Sequence, residues 1–334
     1  MRLTGWTAPH LLPLASAAGA YCFGRMLWGT IGPARLDATG DGKARMSGFR
    51  MVLLAVSLAM LGLAPAAPAS ELIARDASNV SLQADAQGRA LISFRSEGQS
   101  RQLLAWGAVD ARAPNRKVPQ VAFQLRYGGS IGPNTCRAYT GPPLPWLVKA
   151  CSAGDGTHWA LQAWQRGLPN YGVAPTGERA AWELRLSHWR GPLPVLEIWS
   201  DWSYRRFHHL YGKLTYKGVG VFGFISTRFG VPLDTYGRNI YVDTFNSAYG
   251  TGWQRENSFL THPPGGAFCY GFYPHGSHPV GAGKKYRATV IGPGVTPDVM
   301  WEGPAPGAYD PARDEAANTE QRRLLAGDTR CTIN

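Results

Sequence analysis

Short runs of Val, Ile, Leu, Phe, Tyr and Trp recur every ten to fifteen residues along most of the chain, separated by Gly, Pro, Asn or Asp. Within these runs apolar and polar positions alternate, which is the period of half-buried strands and not of helices. The pattern predicts strands near 79–85, 90–96, 101–110, 120–127, 158–165, 181–189, 194–203, 208–217, 219–227, 238–246, 267–273 and 285–292. Ala86-Gln87-Gly88-Arg89 and Lys217-Gly218 have the composition of hairpin turns. A dozen short strands with no helical segments between them exclude a doubly wound parallel sheet. The expected fold class is mainly β: an antiparallel β-sandwich or jelly roll, disulfide-stabilised, with one C-terminal helix.

That helix is expected at about 311–326. Asp310 suits its N-cap, Pro311 its first position and Gly327 its stop. In ARDEAANTEQRRLLA the acids come early and Arg322 and Arg323 late, as the helix dipole favours. The helix should dock on a sheet face.

The first quarter of the chain departs from the strand pattern. Residues 46–69 combine a short n-region carrying Arg50, an apolar run over 51–64 and a small-residue stretch with an A-x-A site at 67–69. These are the three parts of a secretory signal peptide. A membrane-spanning helix needs about 20 apolar residues, and prolines close this run well short of that. Residues 1–45 have no sustained period and read as a mis-assigned start or a disordered extension. The expected product is secreted and keeps no transmembrane anchor after cleavage. Loop-like stretches between 112 and 135 divide it into N-terminal strands over 70–112, too small for a core of their own, and a main domain over 113–334.

Composition sharpens this picture. The whole chain carries a net charge of +12, with 27 Arg against 7 Lys, the bias of a GC-rich bacterial genome. Removing 1–69 leaves 28 basic and 20 acidic residues, a net +8 with no Lys/Arg run longer than two. So diffuse a basic surface does not make a nucleic-acid groove, but it suits an anionic wall polymer. Four cysteines remain beyond the leader, Cys136, Cys151, Cys269 and Cys331, and four allow three pairings. Neighbour pairing joins Cys136 to Cys151 across a Pro-rich loop and Cys269 to Cys331 at the tail. In the loop-entropy picture the two closures contribute ~3 and ~4 kcal/mol.

Two catalytic motifs match by letter only. Ser130 centres a G-x-S-x-G at 128–132, but Pro133 follows where a nucleophile elbow needs a helix. The G-x-G-x-x-G at 218–223 runs from a turn into a strand, so no helix N-terminus is there to hold a pyrophosphate. Cys269, His275 and His278, with His262 upstream, are metal-ligand types, yet C-x5-H-x2-H fits no zinc module. Neither a metal nor a cofactor is expected.

Acids beside aromatic rings are the stronger signal. In VLEIWSDWSY, alternation puts Glu197, Trp199 and Asp201 on one strand face and Trp202 on the other. Two acids flanking an indole is the composition of a sugar-handling surface. As a catalytic pair they need ~5 Å or ~6.5–9.5 Å between carboxyls; residues four apart on a strand lie ~13 Å apart at Cα. The plainer reading pairs these acids with Arg185, Arg205 or Arg206. In YVDTFNSAYGTGWQRE, Tyr241, Asp243 and Phe245 share one face, and after Asn246 the chain is expected to leave the sheet in a long loop carrying Trp253, Arg255 and Glu256.

The leading expectation is a secreted protein that binds carbohydrate or a cell-envelope polymer. Trp199, Tyr241 and Trp253 would stack on the ligand, with Asp243, Arg255 and Glu256 as polar contacts. The alternatives are a secreted glycan hydrolase, using Glu197/Asp201 or Asp243/Glu256, and a structural or protein-interaction role at the cell surface.

Overall fold

The computed structural model describes residues 70–113, 118–168, 180–221, 240–256, 260–261 and 266–325. The leader, most of the strand expected at 219–227, His262, Gly327 and Cys331 lie outside the described residues. Among those described, no helix is long and apolar enough to cross a membrane.

The N-terminal half runs through β1 (Glu71–Arg75), β2 (Ser78–Ala84), β3 (Ala90–Ser96), β4 (Gln99–Trp106), β5 (Gln124–Tyr127), β6 (Arg137–Ala138), β7 (Leu147–Ser152), β8 (His158–Gln165) and β9 (Trp182–Trp189). The C-terminal half continues with β10 (Val195–Ser203), β11 (Phe207–Tyr216), β12 (Val219–Gly220), β13 (Ile240–Ser247), β14 (Gly250–Glu256), β15 (Leu260–Thr261), β16 (Ala267–Gly271), β17 (Lys285–Val290) and β18 (Val299–Pro304). Helix α1 (Pro311–Leu324) follows.

Among the described residues all the pairings are antiparallel and fall into four sheets. Their orders are β1-β9-β8-β7-β6, β2-β3-β4-β5, β10-β11-β16-β15 with β12 beside β11, and β14-β13-β17-β18. Mainly β architecture with one C-terminal helix is therefore as the alternation predicts. Residues on both sides of position 113 share a sheet, because β4 pairs with β5.

Each half has its own core, drawn from two sheets. In the N-terminal half Ile92, Phe94 and Leu103 meet Ile73, Trp159, Leu161, Leu184 and Leu186. In the C-terminal half Leu210, Leu214, Phe268 and Tyr270 meet Ile240, Val242, Tyr286, Ala288 and Val290. Burial of this apolar area is the dominant favourable contribution to folding. At Gly212 a Cβ would come within 2.1 Å of the Glu197 carbonyl oxygen, so β10 approaches β11 more closely than any side chain allows.

Cys136 and Cys151 are joined, their Cα atoms 5.3 Å apart, as neighbour pairing predicts. Cys269 is also disulfide-bonded. Helix α1 is capped by Asp310, whose side chain accepts from the Ala312 and Arg313 amides. Its buried face is polar: Asp314, Asn318 and Gln321 lie beside Ala317. Asn318 accepts from the Tyr204 amide at 2.9 Å, and Gln321 accepts from His209 Nδ1 at 3.1 Å. Docking on the sheet therefore relies on hydrogen bonds as much as on apolar contact.

Three buried histidines are held neutral. His188 donates from Nδ1 to the Ala108 carbonyl at 2.6 Å, so its Nε2 accepts from Thr157 at 2.8 Å, while the ring lies 3.6 Å from that of Trp159. His208 contacts the Tyr286 hydroxyl, and His209 sits fully buried under α1. Desolvation is the main cause that brings each of them down to about 4. In the unfolded chain these rings titrate near 6.5 (about that value). Between the two values the unfolded state binds protons that the native state refuses. Stability is therefore complete above pH ~6.5 and falls as pH drops towards ~4, with a slope set by up to about three protons. Urea unfolding at pH 7.5, 6 and 5 checks this; an unchanged free energy across that range would show that the native rings accept protons.

Candidate functional site

The stretch after Asn246 is not a long loop. Gly250–Glu256 forms β14, hairpinned onto β13 through a tight turn, with Asp243 opposite Arg255 and Val242 opposite Glu256. Gly250 and Gly252 gave it a loop-like composition, but the backbone pairs and the side chains alternate. This register separates the residues that the sequence grouped together. Asp243 and Arg255 face one side of the sheet, towards β8 and β9; Glu256 faces the other, into the C-terminal core. Asp243 and Glu256 are thus on opposite faces and do not form an acid–base pair.

On the Glu256 side, the carboxylate accepts from Thr244 at 2.8 Å and Tyr270 at 3.2 Å and meets His275 Nε2 at 3.0 Å. On the Asp243 side lies a buried lattice of charge. Asp243 accepts from Arg255 and, through Oδ2, from Nε and Nη2 of Arg287 at 3.0 and 2.8 Å. Arg255 also donates to the carbonyl of Arg166. Arg166 donates to both oxygens of Glu183, and Arg185 reaches the same carboxylate at 3.2 Å. Arg185 then donates to Ser70 Oγ and to the Ser70 carbonyl at 2.9 and 2.7 Å. Ser70 donates to Asp298 at 2.6 Å, and Trp164 Nε1 donates to the other Asp298 oxygen at 2.7 Å.

Among the described residues this lattice holds four guanidiniums and three carboxylates that are each less than a tenth exposed, with the more open Arg75 at its margin, 3.6 Å from Glu183. The positive excess lies against π-faces. Arg287 lies 4.0 Å over Trp253 and 4.7 Å over Trp146, and Arg255 lies 4.6 Å over Tyr241. Desolvation is the largest effect on Arg185 and lowers its pKa. The lattice spans β8, β9, β13, β14 and β17, so it joins the two halves.

Sequence reasoning proposed Tyr241 and Trp253 as ligand platforms, and the structure places them otherwise. Tyr241 is 1 % exposed, its ring edge-on to Trp164, so no face is open to a ligand. Trp253 is half-buried, stands opposite Phe245 and has Arg287 on its ring. Asp243, Arg255 and Glu256 are all buried and engaged. Arg166, Glu183, Arg185, Arg287 and Asp298, which complete the lattice, went unnoticed. Glu183 and Arg185 stand at alternate positions of β9, a spacing that usually marks a solvent face. Arg166 covers Glu183, and Ser70 and Asp298 cover Arg185.

The VLEIWSDWSY strand remains a surface. On β10, Glu197, Trp199 and Asp201 stand opposite Lys213, Tyr211 and His209 of β11. Leu196 and Ile198 turn the other way, into the C-terminal core. Trp199 is 38 % exposed, and its indole stacks on Tyr211 with centroids 5.8 Å apart and planes 17° apart. Tyr211 is itself packed beneath Ala317 and Leu325 of the helical segment. Burial and the nearby Asp201 and Glu320 charges push its hydroxyl up to about 12. Glu197 pairs with Lys213 at 2.9 Å, and Asp201 with Arg313 at 3.0 Å. The partners anticipated from sequence, Arg185, Arg205 and Arg206, are replaced by a cross-strand lysine and a helix arginine.

No family model, curated protein or solved structure matches this chain. Among the described residues, no three His, Cys, Asp or Glu side chains converge as a metal site. Ser130 lies in the loop between β5 and β6 with no helix after it. The disulfide at Cys269 removes the thiolate that a Cys–His nucleophile requires.

The lattice makes a sharp prediction. Asp243→Asn leaves Arg255 and Arg287 buried against a neutral amide, and should lower the unfolding free energy by about 3–5 kcal/mol. Glu197→Gln removes only a solvent-exposed pair and should change it by less than about 1 kcal/mol. Parallel urea titrations of the two variants provide the comparison.

Proposed function

We propose that the protein binds carbohydrate, or a related cell-envelope polymer, along the exposed face of β10. The observation that carries this reading is the half-exposed indole of Trp199, backed by Tyr211 and flanked along one strand face by Glu197–Lys213 and Asp201–Arg313. A ring held by a second ring and by a strand backbone is preorganised, so little conformational entropy is lost when a pyranose stacks on it. Ion-paired carboxylates and cations beside it offer acceptors and donors to sugar hydroxyls.

Binding fits better than turnover, because every carboxylate considered for acid–base work has a partner. Asp243 and Glu256 are buried on opposite faces, and Glu197 and Asp201 each hold a cation. We read the two pairs of sheets, each enclosing a core, as β-sandwich bodies that carry this strip rigidly. We read the 46–69 segment as the export signal that would deliver the chain to such a polymer outside the cell.

Co-sedimentation with insoluble polysaccharide and cell-wall preparations, at low and high salt, tests the reading. Binding by the parent chain should survive salt and weaken at least roughly tenfold in Trp199→Ala, as for a central aromatic contact. Binding abolished by salt alike in both chains would reduce the interaction to net charge and overturn the proposal.

A further inference from the structure

A second site lies at the opposite side of β10, where Trp202 turns away from the Trp199 strip. A cavity of about 490 Å³ opens there, between the segment that leads from β18 into α1 and the loop that precedes β17. Trp202, His208, His278, Tyr309, Asn246 and Lys284 line it, with Pro279, Pro306 and several glycines. Its volume lies within the ~300–1,000 Å³ of small-molecule sites.

The walls are rings and the polar groups are donors. Trp202 is 3 % exposed and pinned, its Nε1 donating to the carbonyls of Gly307 and Ala308 at 3.2 Å. Its indole meets the His208 ring edge-on at 4.2 Å, the His278 ring at 5.8 Å and the Tyr309 ring at 5.3 Å. His278 and Tyr309 lie 4.4 Å apart at the mouth. The His278 backbone is left-handed, with φ at 47°, and its amide is held by the Arg206 carbonyl, which fixes where the imidazole stands. Asn246 spends its Oδ1 on the Gly252 amide at 2.8 Å, which leaves its NH₂ as a donor. Among the described residues Lys284 forms no ion pair, although its neighbour Lys285 pairs with Glu302. No carboxylate is among the lining residues; Asp314, which accepts from the Tyr309 hydroxyl at 3.1 Å, is 1 % exposed.

Lys284, the Asn246 amide and the His278 imidazole are thus unmatched by any acid in the lining. We infer that this cavity binds an acidic sugar: a pyranose carrying a carboxylate, free or as a unit of an acidic polysaccharide. The carboxylate would meet Lys284 and Asn246 at the mouth, and the ring would lie against Tyr309, His278 and the two prolines. A neutral sugar leaves the ammonium unmatched, and a bare anion leaves the ring walls unfilled. This inference does not depend on the Trp199 strip.

Calorimetric titration of the full chain with D-glucuronate, D-glucose and acetate, and with an oligomer of galacturonate, tests it. The expected result is binding of glucuronate and the oligomer with no detectable binding of glucose or acetate. Lys284→Gln should weaken glucuronate binding at least roughly tenfold, the effect of losing one charged hydrogen-bond partner. Glu97→Gln, in the turn between β3 and β4 and part of neither site, should leave it unchanged. Affinity for the oligomer but not for free glucuronate would assign the site to the polymer, and affinity for both to the sugar unit. Equal binding of glucose or of acetate, loss of glucuronate binding in Trp199→Ala but not in Lys284→Gln, or no binding of any acidic sugar would each overturn the inference. Only the loss of polysaccharide binding in the sedimentation assay would overturn the Trp199 strip, so the two failures are distinct.

Discussion

The arrangement of the molecule depends on how four buried arginines are neutralised. Arg166 and Arg185 come from the N-terminal half, Arg255 and Arg287 from the C-terminal half, and Glu183, Asp243 and Asp298 hold them. A guanidinium out of water is tolerated only when its donors are matched, and its planar fork demands the partner at a defined angle. Apolar faces tolerate sliding; a fork on a carboxylate does not. The lattice therefore contributes less to raw stability, where a hydrophobic replacement of equal volume would serve as well, than to setting where one half sits against the other.

Much of the fold was legible in the sequence, for a simple reason. Strands whose apolar and polar residues alternate announce themselves even where both faces end up covered: β3 alternates in burial as well, whereas β9 and β17 are buried on both faces. The strands that escaped notice are mostly those at sheet margins. β1 and β18 are edges, short and mixed in character, and β14 is an edge that carries two glycines. An edge strand is held from one side only, so its composition is less constrained. The helix was announced by its cap and its charge order, yet its docking face was not. Asp314, Asn318 and Gln321 look like solvent residues until their hydrogen bonds are seen.

The candidate sites were legible only in part, and the division is instructive. Trp199 and its flanking acids could be read from alternation along one strand, because a surface strip is a local property. The charged residues at 241–256 were read as ligand contacts beside an open loop, and the structure holds them in the interior. Alternation says that Tyr241 and Asp243 share a face, but it cannot say that another sheet covers that face. The cavity beside Trp202 depends on residues from four separate segments, from Trp202 to Tyr309. No window of sequence brings those together.

Ser70 gives the lattice a last property. The residue is fully buried: its amide donates to the Gly294 carbonyl at 2.8 Å, its own carbonyl accepts from Arg185, and its hydroxyl is bonded to Asp298. It also lies directly after the small-residue site at 67–69. A chain that begins at Ser70 brings an α-ammonium into this place, beside the carboxylate already bonded to the same residue. A chain that begins a few residues earlier brings a neutral amide. Under the proposed export, the interior of the folded protein would thus record, as one unit of charge, the position of the cut.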